Sequence, residues 1–254
     1  MTDSASVGVE ILGVVQETLS IRTFSFSRSF DFTPGQFVMV WIPGIDEIPM
    51  ALSSANSISV QKVGDATSAL FALGEGDLIG IRGPLGTGFT PVGPTLAIAG
   101  GIGAAPLLPL AERGKVDTFL LGARTASDVP FRERLQLCTN LSVATDDGST
   151  GTHGFVTALF DAYPPERFSS ICVCGPEVMM RTVLDRLETG GIAQRGQFCL
   201  QRFMKCGIGI CGSCCIDPGG LRVCREGPVI RGNLLVRSEF GRYCRNASGQ
   251  RRPI

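Results

Sequence analysis

The 254-residue chain has a single histidine, His153, so acid–base chemistry built on imidazole has almost no material here. We read that residue as an incidental polar side chain. Neither sign of charge is in excess, since 23 Lys and Arg balance 23 Asp and Glu. Binding to nucleic acid or to an anionic membrane surface is therefore not expected. No apolar run approaches the roughly 20 residues that a membrane span requires. The opening stretch MTDSASVGVEILGVV lacks a basic region leading into an apolar core, so no signal peptide is expected. What the chain has in plenty is glycine, 33 residues, and cysteine, ten. Seven of the cysteines crowd between Cys199 and Cys244. Without an export signal, that crowding points to metal-bound thiolates in a reducing cytoplasm rather than to disulfides.

The stretch MKCGIGICGSCCIDPGGLRVC, from Met204 to Cys224, places Cys206, Cys211 and Cys214 in a Cys-x4-Cys-x2-Cys run, with nine residues between Cys214 and Cys224. This is the plant-type spacing for a [2Fe–2S] cluster. Several thiolates must converge on one small inorganic core, so the backbone has to curl tightly. Gly207, Gly209 and Gly212 permit that because they tolerate positive φ. Structural zinc is the alternative, but it favours two closely spaced cysteine pairs, which this run does not supply. Cys199, Cys215 and Cys244 are spare.

Short β-rich runs dominate the first 91 residues: Val7 to Val15, Ile21 to Phe26, Gln36 to Trp41, Ser57 to Val63 and Asp77 to Arg82. Turn signals such as Thr33-Pro34-Gly35 separate them, which predicts a small antiparallel barrel or sandwich. Over 92–195, strand-like runs alternate with helix-like ones, as a parallel sheet with crossover helices requires. The strand Thr95 to Ala99 runs into Gly100-Gly101-Ile102-Gly103-Ala104-Ala105-Pro106, where a dinucleotide pyrophosphate would sit. Gly101-x-Gly103-x-x-Pro106 matches the glycine fingerprint except for its last glycine. A second turn, Cys174-Gly175-Pro176, follows a strand and opens a helix, and proline suits a first helical turn. Cys174 itself reads either as a nicotinamide-side contact or as a small buried apolar residue. Arg124, ending the second strand, reads equally as a phosphate or ribose contact and as a surface charge. From Gly196 onward we expect a strand delivering the chain to the cysteine loop, a short strand after Cys224, and a basic, exposed tail.

The pattern PGQFVMVWIPG, then KVGDATSAL, then GDLIGIRGPLGTGF resembles the flavin-binding barrel of the ferredoxin–NADP reductase superfamily. The resemblance implies FAD contacts from Pro49, Met50, Ala51, Leu52 and Ser53, and pyrophosphate contacts from Gly64, Ala66 and Thr67. Ile48 stands where the superfamily places an arginine, so a phosphate clamp must come from elsewhere. The nicotinamide would meet Gly100, Gly101, Gly103, Cys174, Gly175 and Pro176, with NAD expected and NADP not excluded. The order barrel (1–91), dinucleotide domain (92–195) and cluster domain (196–254) resembles the electron-transfer subunits of class 1B dihydroorotate dehydrogenases. With it come Cys-Gly-x-Gly-x-Cys-Gly-x-Cys and a following Glu-Gly-Pro-Val. The short arm and the absent arginine suggest a divergent, archaeal-type member.

That resemblance implies the mechanism and the company. Nicotinamide exchanges two electrons as hydride and a [2Fe–2S] cluster exchanges one, so a flavin has to stand between them. The cluster ligands would be Cys206, Cys211, Cys214 and Cys224. No residue of this chain is singled out as a catalytic acid or base. Dihydroorotate would be oxidised on a separate FMN-containing subunit, two of each forming a heterotetramer that serves de novo pyrimidine (UMP) synthesis in the cytoplasm. The sequence leaves open a subunit of a sulfide dehydrogenase, an NADPH–ferredoxin oxidoreductase or a hydrogenase diaphorase. It also leaves open a non-enzymatic flavin and iron–sulfur redox sensor, and a zinc-stabilised interaction module.

Overall fold

A computed structural model describes residues 5–254. The first six strands close a barrel: β1 (Val7–Thr18), β2 (Ile21–Phe26), β3 (Phe37–Ile42), β4 (Asp46–Ser54), β5 (Ser57–Gln61) and β6 (Leu78–Leu85), in the order β1-β2-β5-β4-β3-β6. All six pairings are antiparallel. Alternation drives the closure. Along β1, Val9 and Ile11 point inward and are buried, while Glu10 and Leu12 face out. Phe24, Val40, Leu52, Ile58 and Ile81 fill the same interior. At roughly 1.5–3 kcal/mol for each such side chain, the barrel has a core of its own. Helix α1 (Asp65–Phe71) crosses between β5 and β6 and adds Leu70.

Five of these strands coincide with the runs expected from sequence; β4 does not. The segment around it reads as a polar loop and a strand-to-turn passage because Pro49 interrupts it. In the structure Pro49 pairs with Met39 inside the β3–β4 ladder, and the strand ends in a register shift beside β5. Proline has no amide to donate, so a strand can hold it only where none is demanded.

The second layer system is a seven-stranded sheet. Its strands are β7 (Thr95–Gly100), β8 (Thr118–Ala123), β9 (Asn140–Thr145), β10 (Thr152–His153), β11 (Ser170–Cys174), β12 (Gly196–Cys199) and β15 (Val229–Arg231). The order is β10-β9-β8-β7-β11-β12-β15, parallel except for β15 against β12. Helices α2 (Leu108–Glu112), α3 (Arg132–Cys138) and α4 (Glu177–Thr189) connect the strands. His153 lies exposed in β10, at the sheet's edge. The last segment thus contributes two strands to this sheet. Between them the chain makes a long excursion containing only the two-residue strands β13 (Cys215–Ile216) and β14 (Leu221–Arg222).

After α5 (Gly232–Leu235), the tail folds back as a hairpin of β16 (Tyr243–Arg245) and β17 (Arg251–Pro253). Most of its residues are exposed, as expected of a basic tail, but Arg245 is not. Its guanidinium donates to the Cys215 carbonyl at 2.7 Å and pairs with Asp217 and Glu239. The hairpin is docked on the cysteine loop through Asp217 and the Cys215 carbonyl, both far away in sequence.

Candidate functional site

The sheet decides where a ligand can sit. From β7 the chain winds outward through β8 and β9, then returns to lay β11 on the other side of β7. Open α/β sheets bind ligands at the carboxyl ends of strands flanking such a reversal. Both turns singled out in the sequence lie there: Gly100–Gly103 leaves β7 and Cys174–Pro176 leaves β11, with Ala99 and Cys174 in register. The turns touch, and a Cβ on Gly103 would overlap the Cys174 carbonyl. Cys174 is buried, and its register partner on β12 is Cys199, also buried. The neighbouring Cys199 thiol, and then burial, hold the Cys174 thiol well above the usual range, so it stays neutral.

The barrel rim closes over these turns and encloses a cavity of about 340 Å³. Pro49, Met50, Ala51 and Thr67 line it from the barrel side. Ile102, Ala105 and Cys174 line it from the sheet side. The chain leaving β12 forms the third wall with Leu200, Gln201, Arg202 and Met204. Other expected contacts are placed differently. Leu52 points into the barrel core, and the Ser53 hydroxyl is engaged by Ser57 and Ser59 at 3.1 and 3.0 Å. Those two residues can offer a ligand only their backbone. Gly64 caps α1, where the Thr67 hydroxyl accepts from the amides of Val63 and Gly64 at 2.9 Å each. Gly64, Ala66, Gly100, Gly101, Gly103, Gly175 and Pro176 lie outside the cavity lining.

Sequence reasoning missed Arg202. It is buried and ion-paired with Glu177 of α4, and its Nε has no partner. A second hollow of about 350 Å³ shares Pro49, Arg202 and Met204 with the first and reaches Ile48. The Arg202 guanidinium is turned to Glu177 and its side chain is only 2% exposed, so it lines the hollows mainly through its main chain and does not stand in for the guanidinium absent at position 48. A mostly apolar cavity with a few polar side chains, among them Gln61, Thr67 and Gln201, fits a flat ring with polar edges such as a flavin. The signal for Arg202 was in the sequence as an arginine four residues before Cys206. Nothing local in the sequence shows that it pairs with Glu177.

The excursion from β12 to β15 carries the metal-ligand candidates. Gly207, Gly209 and Gly212 all have positive φ, between 68° and 81°, and the loop curls back on itself at each. Its amides turn inward. Gly209 N–H donates to Cys224 Sγ at 3.1 Å, Ile210 and Cys211 N–H to Cys206 Sγ at 3.4 and 3.5 Å, and Cys224 N–H to Cys214 Sγ at 3.4 Å. The four sulfurs associate as two pairs, Cys206 with Cys211 and Cys214 with Cys224. Burial pushes the Cys206 thiol up, but the amides of Cys211, Ile208 and Ile210 outweigh it and bring the pKa down to about 6. Cys211 is lowered by the side chain and then the amide of Ser213. Burial, then the Cys214 thiol, push Cys224 up to about 12.

Among the described residues no three His, Cys, Asp or Glu side chains converge tightly enough for a single ion. A zinc ion with bonds of about 2.3 Å needs all its sulfurs within roughly 4 Å of one another. Two sulfur pairs, each ringed by amides, fit the spread donor set of a two-iron core better. Cys215 is half-buried and outside both pairs, Cys199 belongs to the cavity wall, and Cys244 sits in the hairpin.

A closed antiparallel barrel, a dinucleotide-type sheet and a cysteine excursion between its last strands define a ferredoxin-reductase-like oxidoreductase with an iron–sulfur appendage. Among solved structures, NADH-dependent reduced ferredoxin-NADP oxidoreductase superposes with a TM-score of 0.80 at 30% identity, covering 89% of this chain and 88% of that one. A ferredoxin NADP+ reductase from Neisseria gonorrhoeae shares the fold at a TM-score of 0.61 and 19% identity, over 73% of this chain and 92% of that one. Residues 201–236 match the model for the iron-sulfur cluster binding domain of dihydroorotate dehydrogenase B. A Methanocella arvoryzae protein named "Probable dihydroorotate dehydrogenase B (NAD(+)), electron transfer subunit" is 51% identical, over 98% of this chain and 99% of its own length. A Methanocaldococcus jannaschii protein of the same name is 46% identical, over 94% and 95%. The chain belongs to the family of electron transfer subunits of dihydroorotate dehydrogenase B.

Proposed function

We propose that this chain passes electrons from a partner subunit that oxidises dihydroorotate to NAD+, in the synthesis of UMP. The observation that carries this reading is the shared wall. Met204 lines the cavity, and Cys206 follows two residues later, at most about 7 Å of chain away. Bound there, FAD would exchange both single and paired electrons, nicotinamide would exchange hydride, and a [2Fe–2S] group would exchange single electrons.

The chain's own residues bind and orient. Cys206, Cys211, Cys214 and Cys224 hold the irons, and the amides of Gly209, Ile210, Cys211 and Cys224 offset the negative charge on their sulfurs. Pro49, Met50, Ala51 and Thr67 hold the flavin by contact, Leu52 and Ser53 by their main chain, and Gly64 and Ala66 at the start of α1. Gly100, Gly101, Gly103, Cys174, Gly175 and Pro176 form the nicotinamide floor. Among the described residues no carboxylate or imidazole lines the cavity, which supports substrate oxidation on the partner. That partner is an FMN-containing subunit, in a complex of two chains of each kind, and it docks over the loop face where Ile208, Ile210 and Cys211 are exposed. Segments 1–91, 92–195 and 196–254 carry flavin, nicotinamide and cluster in that order, in the cytoplasm. No helix among the described residues is long and apolar enough to cross a membrane.

The test is reconstitution. The purified chain is expected to carry flavin, two irons and two sulfides, and to reduce NAD+ when mixed with a dihydroorotate-oxidising subunit and dihydroorotate. Cys214→Ser is expected to abolish that coupled reaction while leaving NADH-driven dye reduction at the flavin. Bound zinc without sulfide, or NAD+ reduction with reduced ferredoxin but not with the subunit, overturns the reading.

A further inference from the structure

Curling the loop so that its amides face the sulfurs forces its carbonyls outward. An outward carbonyl on a half-buried loop needs a donor. Three arginines from three different parts of the chain supply one each. Arg82 of β6 donates to the Cys206 carbonyl at 3.2 Å. Arg222 of β14 donates to the Gly209 carbonyl at 2.9 Å, on the residue whose own amide reaches Cys224 Sγ. Arg245 of the tail hairpin donates to the Cys215 carbonyl at 2.7 Å, one residue beyond Cys214.

Each arginine is itself held by carboxylate. Glu47 of β4 grips Arg82 with both oxygens, at 3.1 and 3.0 Å. Glu226 pairs with the Arg222 guanidinium and also accepts its backbone amide at 2.8 Å. Asp217 and the buried Glu239 hold Arg245. A fork donor fixed by a carboxylate at one end has one geometry for the carbonyl at the other. A lone surface ion pair does little. Three of them on three carbonyls of one loop, those of Cys206, Gly209 and Cys215, are a different arrangement, and nothing about the cysteine spacing requires it.

We propose that Arg82, Arg222 and Arg245, each locked to its own carboxylate, form an outer brace that positions the cysteine loop and sets the reduction potential of the group it holds. This rests on the reading of the four cysteines as iron–sulfur ligands. The charges act through space on a site that becomes one unit more negative on reduction. Each arginine therefore favours the reduced form and each carboxylate disfavours it. The more buried Arg82–Glu47 pair, with side chains 13% and 29% exposed, has the larger leverage; the Arg222–Glu226 pair, at 34% each, is more screened.

Opposite signs separate this from mere loosening of the loop. In the intact chain with its cofactors, Arg82→Met is expected to lower the cluster's one-electron midpoint potential, followed by the electron paramagnetic resonance signal of the reduced form. Glu47→Gln is expected to raise it, and the double variant to return close to the parent. Each single shift corresponds to a three- to tenfold change in the reduction equilibrium, tenfold being 59 mV for one electron. Arg222→Met and Glu226→Gln repeat the pattern at smaller amplitude. Iron and sulfide are counted first: a parent without a cluster refutes the underlying reading and leaves no potential to measure. With the cluster present, shifts of the same sign in both partners, or shifts under twofold in both, overturn the brace. Should Arg82→Met lose its iron, the two carboxylate variants still decide by the sign of their shift.

Discussion

The cavity and the cysteine loop sit side by side and are held in shape by different means. Two of the cavity walls, β4 with α1 and the turns after β7 and β11, stand on hydrogen-bonded ladders and buried cores, while the third is the irregular chain leaving β12. The loop has one two-residue ladder and buries Ile216 and Val223, and much of its remaining order comes from amide-to-sulfur bonds and arginine-to-carbonyl bonds. A wall of the first kind persists without its ligand. A loop of the second kind borrows its stability from what its sulfurs hold, because metal binding and local folding are one equilibrium.

Removing the metal is the strongest way to break that comparison. After chelation under reducing conditions, we expect amide exchange in 203–226 to accelerate by orders of magnitude while the barrel strands keep their protection. At pH 7 an alkylating agent should then label Cys206 and Cys224 alike, because the amide bonds that lower the first thiol and the burial that raises the second go with the loop's order. Mass spectrometry of the labelled chain reads both. Labelling of Cys206 well ahead of Cys224 would mean that the loop's hydrogen bonds outlast the metal.

A smaller change tests the walls. Gly103→Ala puts a methyl group onto the Cys174 carbonyl, so the two turns must part. We expect a cost of about 1–3 kcal/mol, seen as weaker nicotinamide binding in titration and a lower Tm, with iron content unchanged. Arg202→Lys keeps the charge opposite Glu177 but cannot grip its carboxylate with two nitrogens. The expected loss is about 1 kcal/mol of stability, seen as a lower Tm, with iron content unchanged.

The same contrast explains what could be read from the chain without its structure. The cysteine loop was legible because its ligands, glycines and spacing lie within some twenty consecutive positions, and chemistry at that range needs no fold. The sheet order was half legible. Its strands and glycine turns show, but the reversal that brings Gly103 against Cys174 is a property of topology. β4 was hidden by Pro49, a residue that argues locally against a strand and is tolerated only because of where the barrel closes. Arg82 and Arg245 carried no local mark at all. Each acts on a neighbour far along the chain, and the hairpin carrying Arg245 reads from sequence as nothing more than a basic tail.

One feature of the sheet reaches further than this molecule. The cysteine excursion leaves at Cys199 and returns at Val229, and those two residues are register partners on adjacent antiparallel strands, about 5 Å apart. Its entrance and exit are therefore one hairpin's width apart, and a two-residue turn could join β12 to β15 without moving either. A redox accessory plugged in at such a gap can be gained, lost or exchanged in evolution while the strands of the barrel and sheet keep their places, provided something replaces the cavity wall of Leu200 to Met204, and the same gap is where an engineer would graft a different metal-binding arm.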